Sequence, residues 1–413
     1  MSEPMVPDQL VSADVWSDLR KYKDMPEIDM ARLYAYRIER LRGALRNAGA
    51  SMCILVSPLS LRYAVDYRSF GLFQSHIPNS YLFVPVEGPI VIHGTYDYLK
   101  PPAADEIRPA RPISFFNGGY ELTDAARQLA DDVVSYLSEI GTDNRRVAVE
   151  YVNPTITQAL LQRGLEVIDG VIVSEEARLI KSPDEIACMR WAIGVAELGI
   201  AKMKEAMRPG VTELQLWGLL NYTNLANNGD WHDCRMLASG PRINPWFQEA
   251  SQRPIESGDL VGFDTDMIGP FGYFADISRT FHCGPAKPTK RQKELYRLAM
   301  QEIEHNLRLV KPGITFRDFQ QQALVLTEEY HANAYTCLVH GVGMADEYPR
   351  INPACGKPSP YDGTLEQGMV ICVESYVGAV GERDGVKLEQ QVLVVEDGYE
   401  MLSTYPFEES LLD

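Results

Sequence analysis

Five carboxylates and one imidazole in the second half of this sequence are set where ordinary folding does not favour charge. The segment LVGFDTDMIGPFGYFADISRTFHCG (260–284) reads as two strands joined by a turn at Gly269-Pro270. Residues two apart in a regular strand face the same side, so Asp264 and Asp266 point together, with Asp276 on the returning strand. Downstream, VHGVGMADEYPR supplies His340, MVICVESYVG supplies Glu374 and VKLEQQVLVV supplies Glu389. Each acid sits in an apolar run, where carboxylates repel one another and resist burial. A bound cation is the simplest thing that makes such a set acceptable. One His with five carboxylates suits a two-metal site of moderately hard divalent ions such as Fe(II), Mn(II), Co(II) or Zn(II). Any one of these residues also reads as a strand-end or ion-paired charge; the ensemble does not.

The elements that must position these groups follow from the rest of the chain. Its 413 residues, 45% hydrophobic and 23% charged, describe a globular protein of two or three domains. The net charge of −18 argues against nucleic acid and anionic membranes as partners and leaves a small-molecule substrate open. No apolar run is long enough for a membrane span, and MSEPMVPDQL lacks the basic and apolar regions of a signal peptide. Seven scattered Cys with no C-x-x-C read as reduced thiols of a cytoplasmic protein.

Residues 1–28 form a Pro- and Asp-rich N-terminal extension. Tyr34, Ile38, Leu41 and Leu45 share one helical face, which Gly49 ends. SMCILV (51–56) reads as a buried strand, YLFVPV and PIVIHG as a hairpin turning at Glu87-Gly88, and RVAVEY (146–151) as another strand. Leu129, Val133, Leu137 and Ile140 mark a further helix. This alternation predicts an α/β domain over 29–175. Ser182-Pro183-Asp184-Glu185 is a helix start with a capping box, so the second domain is placed at 176–413. Inside it, MRPGVT (207–212) returns as VKPGIT (310–315), a hint of two pseudo-equivalent halves.

The order Asp264, Asp276, His340, Glu374, Glu389, with the phrases EQGMVICVES and EDGYEMLS, resembles the metal centre of the M24 metallopeptidase family. That resemblance implies an α/β (α+β) chain: a creatinase-like N-terminal domain followed by a C-terminal domain of the pita-bread fold, itself pseudo-twofold. Three departures qualify it. Family peptidases space the two Asp by 11, whereas Asp276 follows Asp264 by 12 and Asp266 by 10, which implies a bulge and makes Asp266 an added ligand. Peptidases carry a His seven residues after the metal His; Glu347 stands there, with Asp346 beside it. They also carry a His after the SG-x-N stretch, where SGPRINPW offers Trp246.

This combination resembles a non-peptidase branch of the family, the DddP-type dimethylsulfoniopropionate lyases, with D-T-D, then ADISRT, a Tyr five residues before the metal His and an Asp six after it. Here those are Asp264-Thr265-Asp266, Asp276, Tyr335, His340 and Asp346. The resemblance implies two divalent ions, iron foremost, held by Asp264, Asp266, Asp276, His340, Glu374 and Glu389, and a homodimer. It implies β-elimination to dimethyl sulfide and acrylate. Asp346 or Tyr335 is the base, Tyr335 alternatively orients the substrate carboxylate, and burial would help raise Asp346 above an ordinary Asp. Trp246 reads as a pocket wall facing the sulfonium or as plain core, and His232 in DWHDC as pocket lining. An X-Pro metallo-exopeptidase and a non-catalytic pita-bread binding module are the competing readings.

Overall fold

The computed structural model describes residues 25–68, 70–94 and 100–412, so most of the extension predicted at 1–28 lies outside it. Contacts divide the described residues into two compact units, one over Asp29–Arg178 and the other from Leu179 onward.

In the first unit the apolar stripe read from the sequence forms the helix Met30–Asn47, which buries Leu33, Ile38, Leu41 and Leu45. Gly49 follows it with φ +64°, a conformation glycine adopts without steric cost. The strands are β1 (Met52–Leu55), β2 (Tyr81–Pro85), β3 (Val91–Gly94), β4 (Glu106–Pro109), β5 (Arg146–Val149) and β6 (Glu166–Asp169). They form one mixed sheet in the order β4-β3-β2-β1-β5-β6. β2 and β3 pair antiparallel as the expected hairpin, and β1 runs parallel to β5. The helix Leu122–Glu139 packs Leu129, Val133 and Leu137 into a core shared with Ile54, Phe83 and Val147.

The second unit opens at the predicted capping box. Ser182 Oγ accepts from Glu185 N at 3.2 Å and Glu185 Oε2 from Ser182 N at 2.7 Å, starting the helix Pro183–Ala206. Its strands are β7 (Leu237–Ser239), β8 (Leu260–Phe263), β9 (Met267–Ile268), β10 (Phe274–Ala275), β11 (Arg279–His282), β12 (Val339–Val342), β13 (Asp346–Ile351), β14 (Val370–Val377), β15 (Val386–Val395) and β16 (Gly398–Met401). They form an antiparallel trio β11-β8-β7, a short pair β10-β9 and a five-stranded antiparallel sheet β13-β12-β14-β15-β16. The helix Lys290–Leu307 covers one face of the larger sheet, where Leu295, Ala299 and Ile303 join Val373 and Leu388 in the core.

The repeated turn is structural as well as textual. Thr212 and Thr315 each cap a helix, and Gly210 and Gly313 both take a left-handed φ, +95° and +83°. Gly210 N donates to Ile255 O, and Ile255 N to Val211 O. Gly313 N donates to Leu365 O, and Leu365 N to Ile314 O, in the same pattern. Each bridged segment then passes a left-handed glycine, Gly258 or Gly368, both at φ +90°, and enters a strand, β8 or β14. The same distance along the chain that separates these glycines separates Asp264 from Glu374.

Candidate metal centre and active site

The strands bring all six sequence-selected groups together. Ligand atoms of Asp264, Asp266 and Asp276 lie within 4.8 Å of one another, as do those of Asp264, Glu374 and Glu389, and those of Asp276, His340 and Glu389 with the thiol of Cys372. Glu374 on β14 and Glu389 on β15 are direct cross-strand partners, a pairing of like charges that destabilises a sheet unless a cation answers it.

Asp266 arrives by a route the sequence did not show. Instead of two continuous strands, β8 stops at Phe263, and Asp264–Asp266 leave the ladder before β9 begins. Asp266 has φ +36°, strained for a residue with a Cβ, and this turn rather than strand alternation aims its carboxylate beside Asp264. Thr265 Oγ1 ties the bend to the opposite segment, donating to Ala275 O at 2.7 Å and accepting from Ile277 N at 3.0 Å. Cys234 Sγ donates to Asp266 Oδ2 at 2.8 Å.

The electrostatics are those of too many acids and too few donors. Asp264 Oδ1, Asp276 Oδ1 and Glu389 Oε1 are buried with no hydrogen-bond donor. Burial, with Glu389 nearby, pushes Asp264 up to about 6 and Glu374 up to about 8. Burial and the neighbouring acids also raise Asp266 and Asp276 well above the usual carboxylate range. Burial acts on Glu389 too, but Lys387 and His340 outweigh it and hold that group below its ordinary value. Buried oxygens that converge without donors suit a cation, and the mixed carboxylate and imidazole set fits divalent ions.

His340 divides its ring between two tasks. Nε2 points to Glu374 Oε1 at 3.1 Å, with Asp276 and Glu389 slightly farther. Nδ1 faces Gly341 O at 3.1 Å and Asp346 Oδ1 at 3.3 Å. Burial disfavours its charged form, but Asp346, Glu374 and Glu389 prevail and raise the imidazole well above its ordinary value. Asp346 itself is not buried as expected: it opens β13, and its side chain is 65% exposed.

Lys387 is a participant that the sequence reading missed. It lies two residues before Glu389 on β15, hence on the same face, and its side chain is fully buried. Nζ spends its donors on Glu374, on Ser278 Oγ at 2.6 Å and on Asp264 at 3.0 Å. It also lies 4.5 Å from the centre of the Tyr335 ring, while burial and Glu374 hold the Tyr335 phenol well above its usual value.

The remaining expectations divide. Trp246 is 5% exposed and packs against Tyr376 in the core, with ring centres 5.9 Å apart, which favours the second of its two readings. Phe247, 53% exposed, stacks on Tyr335 at 5.2 Å. His232 sits edge-on to Trp217, and its Nδ1 lies 2.8 Å from Thr265 O, at the back of the Asp264–Asp266 bend. Burial lowers its imidazole to about 4, so it is neutral near pH 7.

Fold and site define a class. The chain belongs to metallopeptidase family M24, matched over residues 187–396. Its relatives are more particular. It is 36% identical to the dimethylsulfoniopropionate lyase DddP of Roseovarius nubinhibens, over 93% of this chain and 88% of that one. It is 34% identical to DddP of Roseobacter denitrificans, over 98% and 92%. Among solved structures, an Xaa-Pro dipeptidase from Bacillus anthracis superposes with a TM-score of 0.71 at 22% identity, covering 91% of this chain and 99% of that one.

Proposed function

We propose that this protein is a metal-dependent carbon–sulfur lyase that cleaves dimethylsulfoniopropionate to dimethyl sulfide and acrylate. The observation that carries this reading is the pairing of a complete acidic centre with Asp346 at its rim, in a chain whose near-full-length relatives are DddP lyases.

Asp264, Asp266, Asp276, His340, Glu374 and Glu389 would hold two divalent ions, with iron as the proposed metal. When bound, such ions supply a Lewis acid for the substrate carboxylate and stabilise the negative charge that develops beside it. Asp346 Oδ takes the proton from the carbon next to the carboxylate. The freed electron pair forms the new C=C bond while the C–S pair leaves on sulfur, giving neutral dimethyl sulfide. Tyr335, whose phenol keeps its proton, orients the substrate carboxylate by donating to it. Lys387 fixes the Asp264 and Glu374 oxygens and removes one unit of the site's negative charge. We further propose a homodimer, on the strength of the family resemblance, and a cytoplasmic setting, supported by seven free cysteines. No helix among the described residues is long and apolar enough to cross a membrane.

An X-Pro exopeptidase is the second reading, favoured by the fold shared with the Bacillus anthracis enzyme. The positions where a peptidase carries its two extra imidazoles hold Glu347, turned toward Lys181, and Trp246, in the core. Headspace dimethyl sulfide and acrylate from the metal-loaded enzyme, measured beside Asp346→Ala with its metal content, test the proposal. Products from wild type and none from a metal-replete variant support it. A variant that loses its metal instead assigns Asp346 to holding the His340 ring. A fully metallated wild type that makes no product but cleaves X-Pro dipeptides establishes the second reading.

A further inference from the structure

Glu347 and Lys181 form an ion pair that the chemistry above does not use. Both side chains are almost wholly buried, and Lys181 Nζ stands 3.0 Å from Glu347 Oε2. The other oxygen, Oε1, accepts from Met344 N at 2.9 Å. The Glu347 carboxylate therefore fills the inside of the turn between β12 and β13, so tightly that a Cβ on Gly343 would lie 2.3 Å from it. The turn is fixed at its ends too. Gly343 N donates to Ala345 O, and Gly343 O accepts from Phe274 N at 2.8 Å, two residues before Asp276. Lys181 is held in turn by its own N–H, bonded to Gly368 O just before β14.

Strand alternation makes this pair consequential. Asp346 and Glu347 are adjacent on β13, so their side chains leave opposite faces. Anchoring Glu347 inward orients Asp346 outward, where its Oδ1 lies 3.3 Å from His340 Nδ1. An exposed acid has no packing of its own to set its direction, and the buried neighbour supplies it.

We infer that the Lys181–Glu347 pair is a positioning device for Asp346, an inference that rests on Asp346 being the base of the lyase reaction. Misplacing a proton acceptor by about 1 Å lowers turnover by up to ~10²-fold without weakening ground-state binding. The test uses the full-length, metal-loaded enzyme with dimethylsulfoniopropionate and its α,α-dideuterated form. Glu347→Gln is expected to keep metal content and KM, to lower kcat roughly ten- to a hundredfold, and to raise the deuterium isotope effect on kcat. Added to Asp346→Asn, it causes no further loss.

Gly343→Ala, which keeps both charges but pushes on the carboxylate, gives the same pattern and serves if Glu347→Gln does not fold. The reversed pair, Lys181→Glu with Glu347→Lys, recovers part of kcat. Equal losses in the wild-type and Asp346→Asn backgrounds, loss of metal, or a changed KM with an unchanged isotope effect overturns the inference while leaving the lyase reading intact. A wild type inactive on dimethylsulfoniopropionate, or a fully active Asp346→Asn, removes the lyase or base assignment and this inference with it.

Discussion

Glu150 in the first unit and Asp276 in the second are both buried acids, and their surroundings are opposite. Glu150 accepts from Val56 N, Ser57 N and Ser60 Oγ at 2.6–2.9 Å, with Ser174 Oγ a little farther. Both oxygens are answered by neutral donors, as a structural carboxylate requires. Asp276 has one orphaned oxygen and four acids around it. Even within the second unit the contrast holds: Asp259, wholly buried, is met by Arg253, Arg383 and Glu256 N. Glu150 and Asp259, which support the fold, are satisfied on both oxygens. At the metal centre three orphaned acid oxygens converge, which leaves room for cations.

Four measurements press on that contrast. The largest effect is expected from Asp276→Asn. Activity falls by roughly 10³-fold or more as a ligand is lost, yet the metal-free variant melts higher than metal-free wild type because one repelling carboxylate is gone. A lower melting point would show that Asp276 supports the fold as Glu150 does. Next, Glu150→Ala strands four donors and lowers stability by about 3 kcal/mol, read from denaturant unfolding, with activity per folded molecule unchanged. A selective loss of activity there would erase the distinction.

The third measurement is of pH dependence. Asp264 and Glu374 titrate in the metal-free fold near 6 and 8, above the ordinary 3.8 and 4.5. Between those limits the folded chain holds protons that the unfolded chain has released, so metal-free stability falls as pH rises from about 4 to 8. Metal loading is expected to abolish that slope and to raise stability by about 2.7 kcal/mol at a hundredfold excess over Kd. Melting curves with and without chelator across this range check both. The smallest effect belongs to Cys234→Ser, whose hydroxyl can still donate to Asp266; activity changes by less than about threefold. A larger loss would give the thiol itself a role.

Much of this architecture was legible where one periodicity governed a whole element. Of the stripe Tyr34, Ile38, Leu41 and Leu45, the last three are buried and Tyr34 is half-buried, and the capping box at Ser182 formed. The convergence of the six groups was legible because acids placed in apolar runs repel one another and resist burial. What escaped was whatever depends on a single backbone angle. Alternation cannot foresee that Asp266 turns left-handed, nor choose between the two readings of Trp246, which enters the core while Phe247 stays out. Lys387 was in reach: its offset from Glu389 places it on the ligand face, but a lysine in a strand ordinarily means a solvated edge.

The two Pro-Gly turns finally bear on ancestry. Each is bonded to a segment that runs into a strand, and one acid of the centre comes with each strand: Asp264 just past the end of β8, Glu374 within β14. A chain half as long, paired with its own copy, would have to present identical groups across the axis. Joined in one polypeptide, the halves are free to diverge, and the single imidazole of His340, on one side only, is a product of that freedom. In this molecule two similar halves within one polypeptide are what makes room for the lopsidedness that chemistry needs.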